Sequence, residues 1–289
     1  ISSGAVVLSA DVTLTTTDSN ITFNGTVRSD SSDTPRDLTI NLDANSNGTT
    51  ADLIINGIVG GASLPLDVIT ITGDLDLNSS IGNSPGATSI TVSGDANLGA
   101  DVETTGTQTY SGAVTISNDI TLTTTDSNIT FGSTVDGDGT ARDLTIDMDN
   151  SGVSADGTIQ FANTVGANDD LDVIDITGNL NLDAAISNTT SLSVSGTSNL
   201  GADVTTSSTQ TYSGAVVLSN NVILTTTDNN ITFSSTIDSD STARDLTLTL
   251  GSGSASITGI VGTTSLADIT LNSSATFNAA VTADNLTMQ

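Results

Sequence analysis

An all-β chain wound as a right-handed parallel β-helix, with about 20 residues per coil, is what this sequence predicts, on three observations. The chain repeats itself at long intervals, its apolar residues fall in short runs that alternate with polar ones, and Gly, Ser, Thr, Asn and Asp fill the spaces between those runs.

The long repeat is explicit. Residues 14–23 read LTTTDSNITF, residues 122–131 read the same, and residues 224–233 read LTTTDNNITF, spacings of 122 − 14 = 108 and 224 − 122 = 102. SGAV begins at Ser3, Ser111 and Ser213, and RDLT begins at Arg36, Arg142 and Arg244. These anchors divide one continuous solenoid, 1–289, into modules 3–110, 111–212 and 213–289, the last of them shorter than a full module. Neither end carries an obvious polar cap, so the expectation is a fragment or a protomer that stacks end to end.

A shorter beat lies inside the module. Aliphatic positions at Val102, Ile120, Val135, Val165, Ile186 and Val204 are separated by 18, 15, 30, 21 and 18 residues, which predicts about five coils per module. Val12 and Leu14 are flanked by Thr13 and Thr15, and Leu38, Ile40 and Leu42 by Thr39 and Asn41, so one face of each strand is aliphatic and the other polar. The turn-forming residues between them accept tight bends and left-handed backbone. Repeats of an antiparallel β-sandwich are the alternative, because regular short strands suit that fold too. Against it stand modules that follow one another without linkers, and only three Pro.

Composition narrows the function. Aromatics are 2% and apolar residues 35%, a poor basis for a thick globular core and a better one for a thin elongated core. Acidic residues number 33 against four basic ones, Arg28, Arg36, Arg142 and Arg244, for a net charge of -29 with no Lys. Phosphate binding needs clustered Lys and Arg, which argues against nucleic acid and against anionic membranes. No apolar run approaches the ~20 residues needed to cross a bilayer, which argues against membrane insertion. Without Cys there is neither a disulfide framework nor a thiolate metal site. Such acidity suits divalent cations and salty surroundings, and so an extracellular setting.

Candidate sites are few. After the RDLT strand, Asp43, Asn45, Asn47 and Gly48 give D-x-N-x-N-G, and Asp147, Asp149, Ser151 and Gly152 give D-x-D-x-S-G in the second module. Alternating oxygen side chains before a glycine turn are a pattern that can wrap calcium, although neither loop has the closing Glu of an EF-hand and the third module reads Gly251, Ser252, Gly253 instead. The simpler account is a solvated Asx-rich turn. Each RDLT Arg follows an acidic loop, Asp30 and Asp33, Asp136 and Asp138, or Asp238 and Asp240, and is expected to neutralise carboxylates there and at Asp37, Asp143 and Asp245. Tyr110 and Tyr212 are read as exposed-type aromatics that stack between modules. The TTT runs at 15–17, 123–125 and 225–227 raise ice binding, but one run per module falls short of a threonine pair on every rung. With no His, Lys or Cys, no acid, base and stabiliser assemble into a catalytic set, so no enzyme is expected.

The stretch TQTYSGAVTISNDITLTTTDSNITF, followed by RDLTI, resembles the large bacterial repeat proteins of the filamentous-haemagglutinin-like adhesin class over the whole chain. That resemblance implies a right-handed parallel β-helix, export to the bacterial surface or beyond, and a role in attachment or an extracellular matrix. The secretion domain typical of haemagglutinin-like proteins is not visible in the sequence. The expectation is a structural, non-catalytic shaft of an extracellular fibre or surface adhesin, calcium-stabilised, with further copies or repeats end to end and surface polysaccharide as partners. The alternative is a calcium-dependent polysaccharide-binding or polysaccharide-cleaving β-helix.

Overall fold

The computed structural model describes residues 2–45, 51–61, 63–82, 86–149 and 157–289. Among these there is no helix, and the named strand pairs are all parallel, which rules out the antiparallel sandwich. The strands stack as a β-solenoid of about 13 turns of roughly 21 residues.

Each coil has three sides, and each side is a ladder that runs the length of the described chain. On the first side, Val6, Val27, Val59, Ile81, Val102, Leu122, Ile146, Ile176, Val194, Tyr212, Phe233, Ile257 and Phe277 lie one above another. The second side runs from Val12 through Leu38, Ile69 and Ile90 to Val281. The third runs from Ile21 through Leu53, Leu75 and Ala96 to Met288. Strand Ile186–Val194 turns a corner: Ile186 pairs with Val204 on the third side, and Leu192 pairs with Gln210 on the first.

Period-2 alternation explains which residues face in. In Leu66–Thr72, Leu66, Ile69 and Ile71 are buried while Val68 and Thr72 are exposed. β-Branched residues suit this pleated, half-buried setting. The inward residues make one continuous core, at about 1.5–3 kcal/mol for each fully buried aliphatic side chain.

Two aromatic stacks thicken the core. Tyr110, Phe131 and Phe161 occupy successive coils of the second side with ring centroids 5.4 and 5.5 Å apart, and Tyr212 stacks on Phe233 at 5.2 Å on the first side. Both tyrosines are fully buried, which corrects the reading of them as exposed. Stacking does cross the module boundary, from the Tyr that ends one module to a Phe of the next. Each hydroxyl donates to a buried Gln: Tyr110 to Gln108 Oε1 at 3.2 Å, Tyr212 to Gln210 Oε1 at 3.1 Å. Gln108 Nε2 in turn donates to the carbonyls of Val102 and Thr123 and to Thr104 Oγ1, and Gln210 repeats this with Val204, Thr225 and Thr206. A buried amide is tolerated here because its hydrogens are used. Burial pushes both phenols up from their ordinary value.

The ladders also fix how modules wind. The equivalent residues Val6, Val114 and Val216 stand on the first side of coil 1, the third side of coil 5 and the second side of coil 10. At three sides per coil these are positions 1, 15 and 29, so one module spans 14 sides, or 14/3 = 4⅔ coils, in place of the five expected. Every module therefore begins one side away from its predecessor.

Candidate functional site

The most repeated polar feature is a bracket at the coil corners, in which an Asp or Asn side chain accepts a backbone N–H from the next coil. Asp11, Asp119 and Asn221 accept from Asp37, Asp143 and Asp245 at 3.1, 3.2 and 3.1 Å. Asp37, Asp143 and Asp245 then accept from Val68, Val173 and Asp268, each at 3.1 Å. Asn20, Asn128 and Asn230 do the same for Asp52, Thr158 and Ser254. Asp and Asn alternate at equivalent places, so the shared requirement is an acceptor oxygen for a backbone donor that the corner would leave unpaired. This gives Asp11, Asp37, Asp119, Asp143 and Asp245 a use without a ligand, and the sequence reading missed it. The signal was there: an Asx residue at the start of a strand, just before it in Asp11, Asn20, Asp119, Asn128, Asn221, Asn230 and Asp245 and second within it in Asp37 and Asp143, set one coil from its partner.

The acidic loops before the arginines do less than expected. Arg142 makes a bidentate pair with Asp138 at 3.2 and 3.0 Å, Arg244 does so with Asp240 at 3.1 and 2.8 Å, and Arg36 reaches Asp30 through Nε at 3.0 Å. Asp136 and Asp238 instead accept backbone N–H groups, from Asn168 and Thr264. Hydrogen bonding from Arg142 and Arg244 holds the Asp138 and Asp240 carboxyls below their usual value, and the Ser252 N–H does so for Asp228. Groups depressed in the folded chain add stability that is present above their unfolded value near 4 and is lost as pH falls through the lower folded values.

Asp74 is opposite in sign. Burial raises it, and the negative charges of Asp95 and Asp52 add to the rise, while the Asp95 N–H bond offsets part. Its charged form therefore penalises the fold at neutral pH, and protonation relieves the penalty. The second module places Asn179 there, whose Oδ1 accepts from Thr197 N–H at 2.8 Å as Asp74 Oδ1 accepts from Asp95 at 2.9 Å. Asp74→Asn is expected to raise the melting temperature at pH 7 by about 1 °C and to give no gain near pH 3. Thermal melts at the two pH values check this, and an equal gain at both would refute the charge explanation.

The calcium candidates are only partly in view. Asp43, Asn45, Asp147 and Asp149 are described, whereas Asn47 and Ser151, with Gly48 and Gly152, lie outside the described residues. Asn41 Oδ1 accepts the Asp43 N–H at 3.0 Å and Asp147 Oδ1 accepts the Asp149 N–H at 3.1 Å, both Asx turns. Sequence reading missed the facing residue of the TTTD turn. Thr17 bridges Asp43, Thr125 bridges Asp149, and Asp18, Asp126 and Asp228 all adopt left-handed backbone, with φ of 54°, 50° and 57°. In the third module Asp228 Oδ1 accepts the Ser252 N–H at 2.7 Å. In the second, Oδ1 of Asp126 and Oδ1 of Asp149 are both buried without a hydrogen-bond partner. Among the described residues, no group of three or more His, Cys, Asp or Glu is gathered as a metal ion would need.

Two of the shallow grooves among the described residues bear on the candidate sites. One is lined by Asp52, Asp74, Asp76 and Asp95 on the third side, but Asp74 and Asp95 accept backbone N–H groups and Asp76 accepts from Asn78 and Asn97. The other is lined by hydroxyls, including Thr189, Thr190, Thr205 and Ser207. The LTTT copies stand on the second, first and third sides in turn, so they form no common array. Threonines from other motifs do align: Thr13, Thr39, Thr70, Thr91, Thr109 and Thr130 are successive partners on the second side.

No protein family, no curated protein and no solved structure matches this chain.

Proposed function

We propose that the chain is a structural, non-catalytic shaft of a bacterial extracellular fibre or surface adhesin. The observation that carries this reading is the unbroken stack of three ladders through about 13 turns, in which length comes from repetition and stiffness from coil-to-coil hydrogen bonds. At a strand spacing of ~4.8 Å the stack is roughly 60 Å long. The deployment of acidic side chains as corner acceptors supports it further, since those groups have a structural use. Incubation with uronate polymers in calcium is the test against the polysaccharide-cleaving reading. No chain shortening is expected, and measurable cleavage would overturn the proposal.

Calcium at the Asx-rich loops is the accessory part of the proposal, supported by the two unpartnered carboxylate oxygens of Asp126 and Asp149. Calcium is expected to raise the melting temperature above that in sodium chloride of equal ionic strength, and Asp149→Asn to reduce the rise. Equal melting in both salts would remove calcium and leave the shaft.

A further inference from the structure

The hydroxyl groove lies where strand Ile186–Val194 turns from the third side to the first, and it differs from the same corner one module earlier. It holds about 290 Å³ and is lined by Thr189, Thr190, Thr205, Thr206, Ser207 and Thr227, with Asp170 the one carboxylate among its lining residues. Thr189 and Thr206 are buried and form the floor. Thr206 Oγ1 donates to the Ser208 carbonyl at 2.8 Å and accepts from the buried Gln210 Nε2 at 3.3 Å, and Thr189 Oγ1 donates to the Ser187 carbonyl at 3.1 Å, so the floor is held in place. Asn188, in left-handed backbone at φ 47°, fixes the bend by donating from Nδ2 to the Gly166 carbonyl at 2.9 Å. Thr190, Thr205, Ser207 and Thr227 form the rim, and none of these four hydroxyls makes a hydrogen bond among the described residues. One module earlier, at 189 − 102 = 87 and 205 − 102 = 103, the equivalent residues are Ala87 and Glu103, so the later module has gained two hydroxyls and lost a carboxylate here.

From this we infer that the corner groove is a binding site for a neutral saccharide. A hydroxyl both donates and accepts, and four rim hydroxyls without an internal partner match a ligand that carries many uncharged hydroxyls of its own. An apolar molecule would find little to cover, since Ala141 and Leu171 are the only apolar lining residues. A divalent cation needs several strong oxygen ligands and meets a single carboxylate. The net charge of -29 repels acidic polysaccharides. Asp170 at the margin supplies one strong acceptor for a sugar hydroxyl. With no aromatic ring among the lining residues to stack on a sugar, the dissociation constant is expected on the order of 1 mM. Use of the groove for attachment rests on the surface-adhesin reading, whereas the binding itself does not.

The test is titration of the full chain, in chelator, with cellotetraose, maltotetraose and mannotetraose as neutral probes and tetragalacturonate as the acidic one, followed by saturation-transfer NMR. At least one neutral probe is expected to bind, and tetragalacturonate to bind about tenfold more weakly or not at all. Thr190→Val with Thr227→Val removes two rim hydroxyls that no internal contact uses and is expected to weaken the neutral probe about tenfold. Thr13→Val with Thr39→Val, an equal change on the second side, should leave binding as it was. Ser207→Ala lies outside the named strands and gives a milder reading, about threefold, that does not depend on the double variant folding. No binding by any neutral probe, equal binding of tetragalacturonate, or equal affinity in the two double variants and Ser207→Ala would overturn the site. Loss of the site would leave the shaft standing, and cleavage of uronate polymers would sink the shaft without touching these affinities, so the two failures are distinguishable.

Discussion

Phe131→Ala is expected to destabilise the chain by about 3 to 5 kcal/mol, the range for deleting a buried aromatic ring. Phe131 is fully buried between Tyr110 and Phe161, so truncation removes two stacking contacts and leaves a void that neighbouring coils cannot close without breaking their ladders. In a solenoid each coil touches only its neighbours, so the loss should be local. Amide hydrogen exchange should accelerate in Gln108–Tyr110, Ile129–Phe131 and Thr158–Phe161 while Ser254–Ile257 keeps its protection. Phe131→Leu should cost less than Phe131→Ala, because it keeps most of the buried apolar volume and loses chiefly the two ring stacks. Uniform acceleration along the whole chain would contradict the nearest-neighbour picture.

Gly112→Val comes second, at about 3 kcal/mol, for a different reason. Gly112 does not need left-handed backbone. It lies where adjacent coils touch, and a Cβ there would overlap the carbonyl group of Gly94. Because the obstacle is main chain, no side-chain rotation relieves it, and the corner between Gln108–Tyr110 and Val114–Ile116 must separate from the coil beneath. Gly4 is the control, since a Cβ at that position meets nothing within 4 Å and Gly4→Ala should be close to neutral. Denaturant unfolding of the two variants checks the contrast, and similar midpoints would refute it.

The fold was legible because its two signals are local and redundant. Alternation in segments such as Val12–Thr15 sets which side chains enter the core, and the near-identical modules exclude an irregular globule. The side on which a segment falls was not legible, since it depends on summing loop lengths. Ile146 to Ile176 on the first side spans 30 residues and Val194 to Tyr212 spans 18, though both are one turn. That irregularity made 4⅔ coils read as five. For the candidate site, the sequence located the acidic residues but not their uses. Asp143 looked like a counter-ion for its neighbour Arg142, yet its oxygen accepts the Val173 N–H one coil away, a contact that exists only once the winding is known.

The fractional turn per module has a genetic corollary. Near-identical stretches such as LTTTDSNITF invite unequal exchange, and a crossover at equivalent positions would leave strand pairing intact because the lost or gained segment is a whole number of sides. Copy-number change would then alter two properties together. The distal end would move in or out by about 22 Å, and whatever it carries would be re-aimed by a third of a revolution of the coil path.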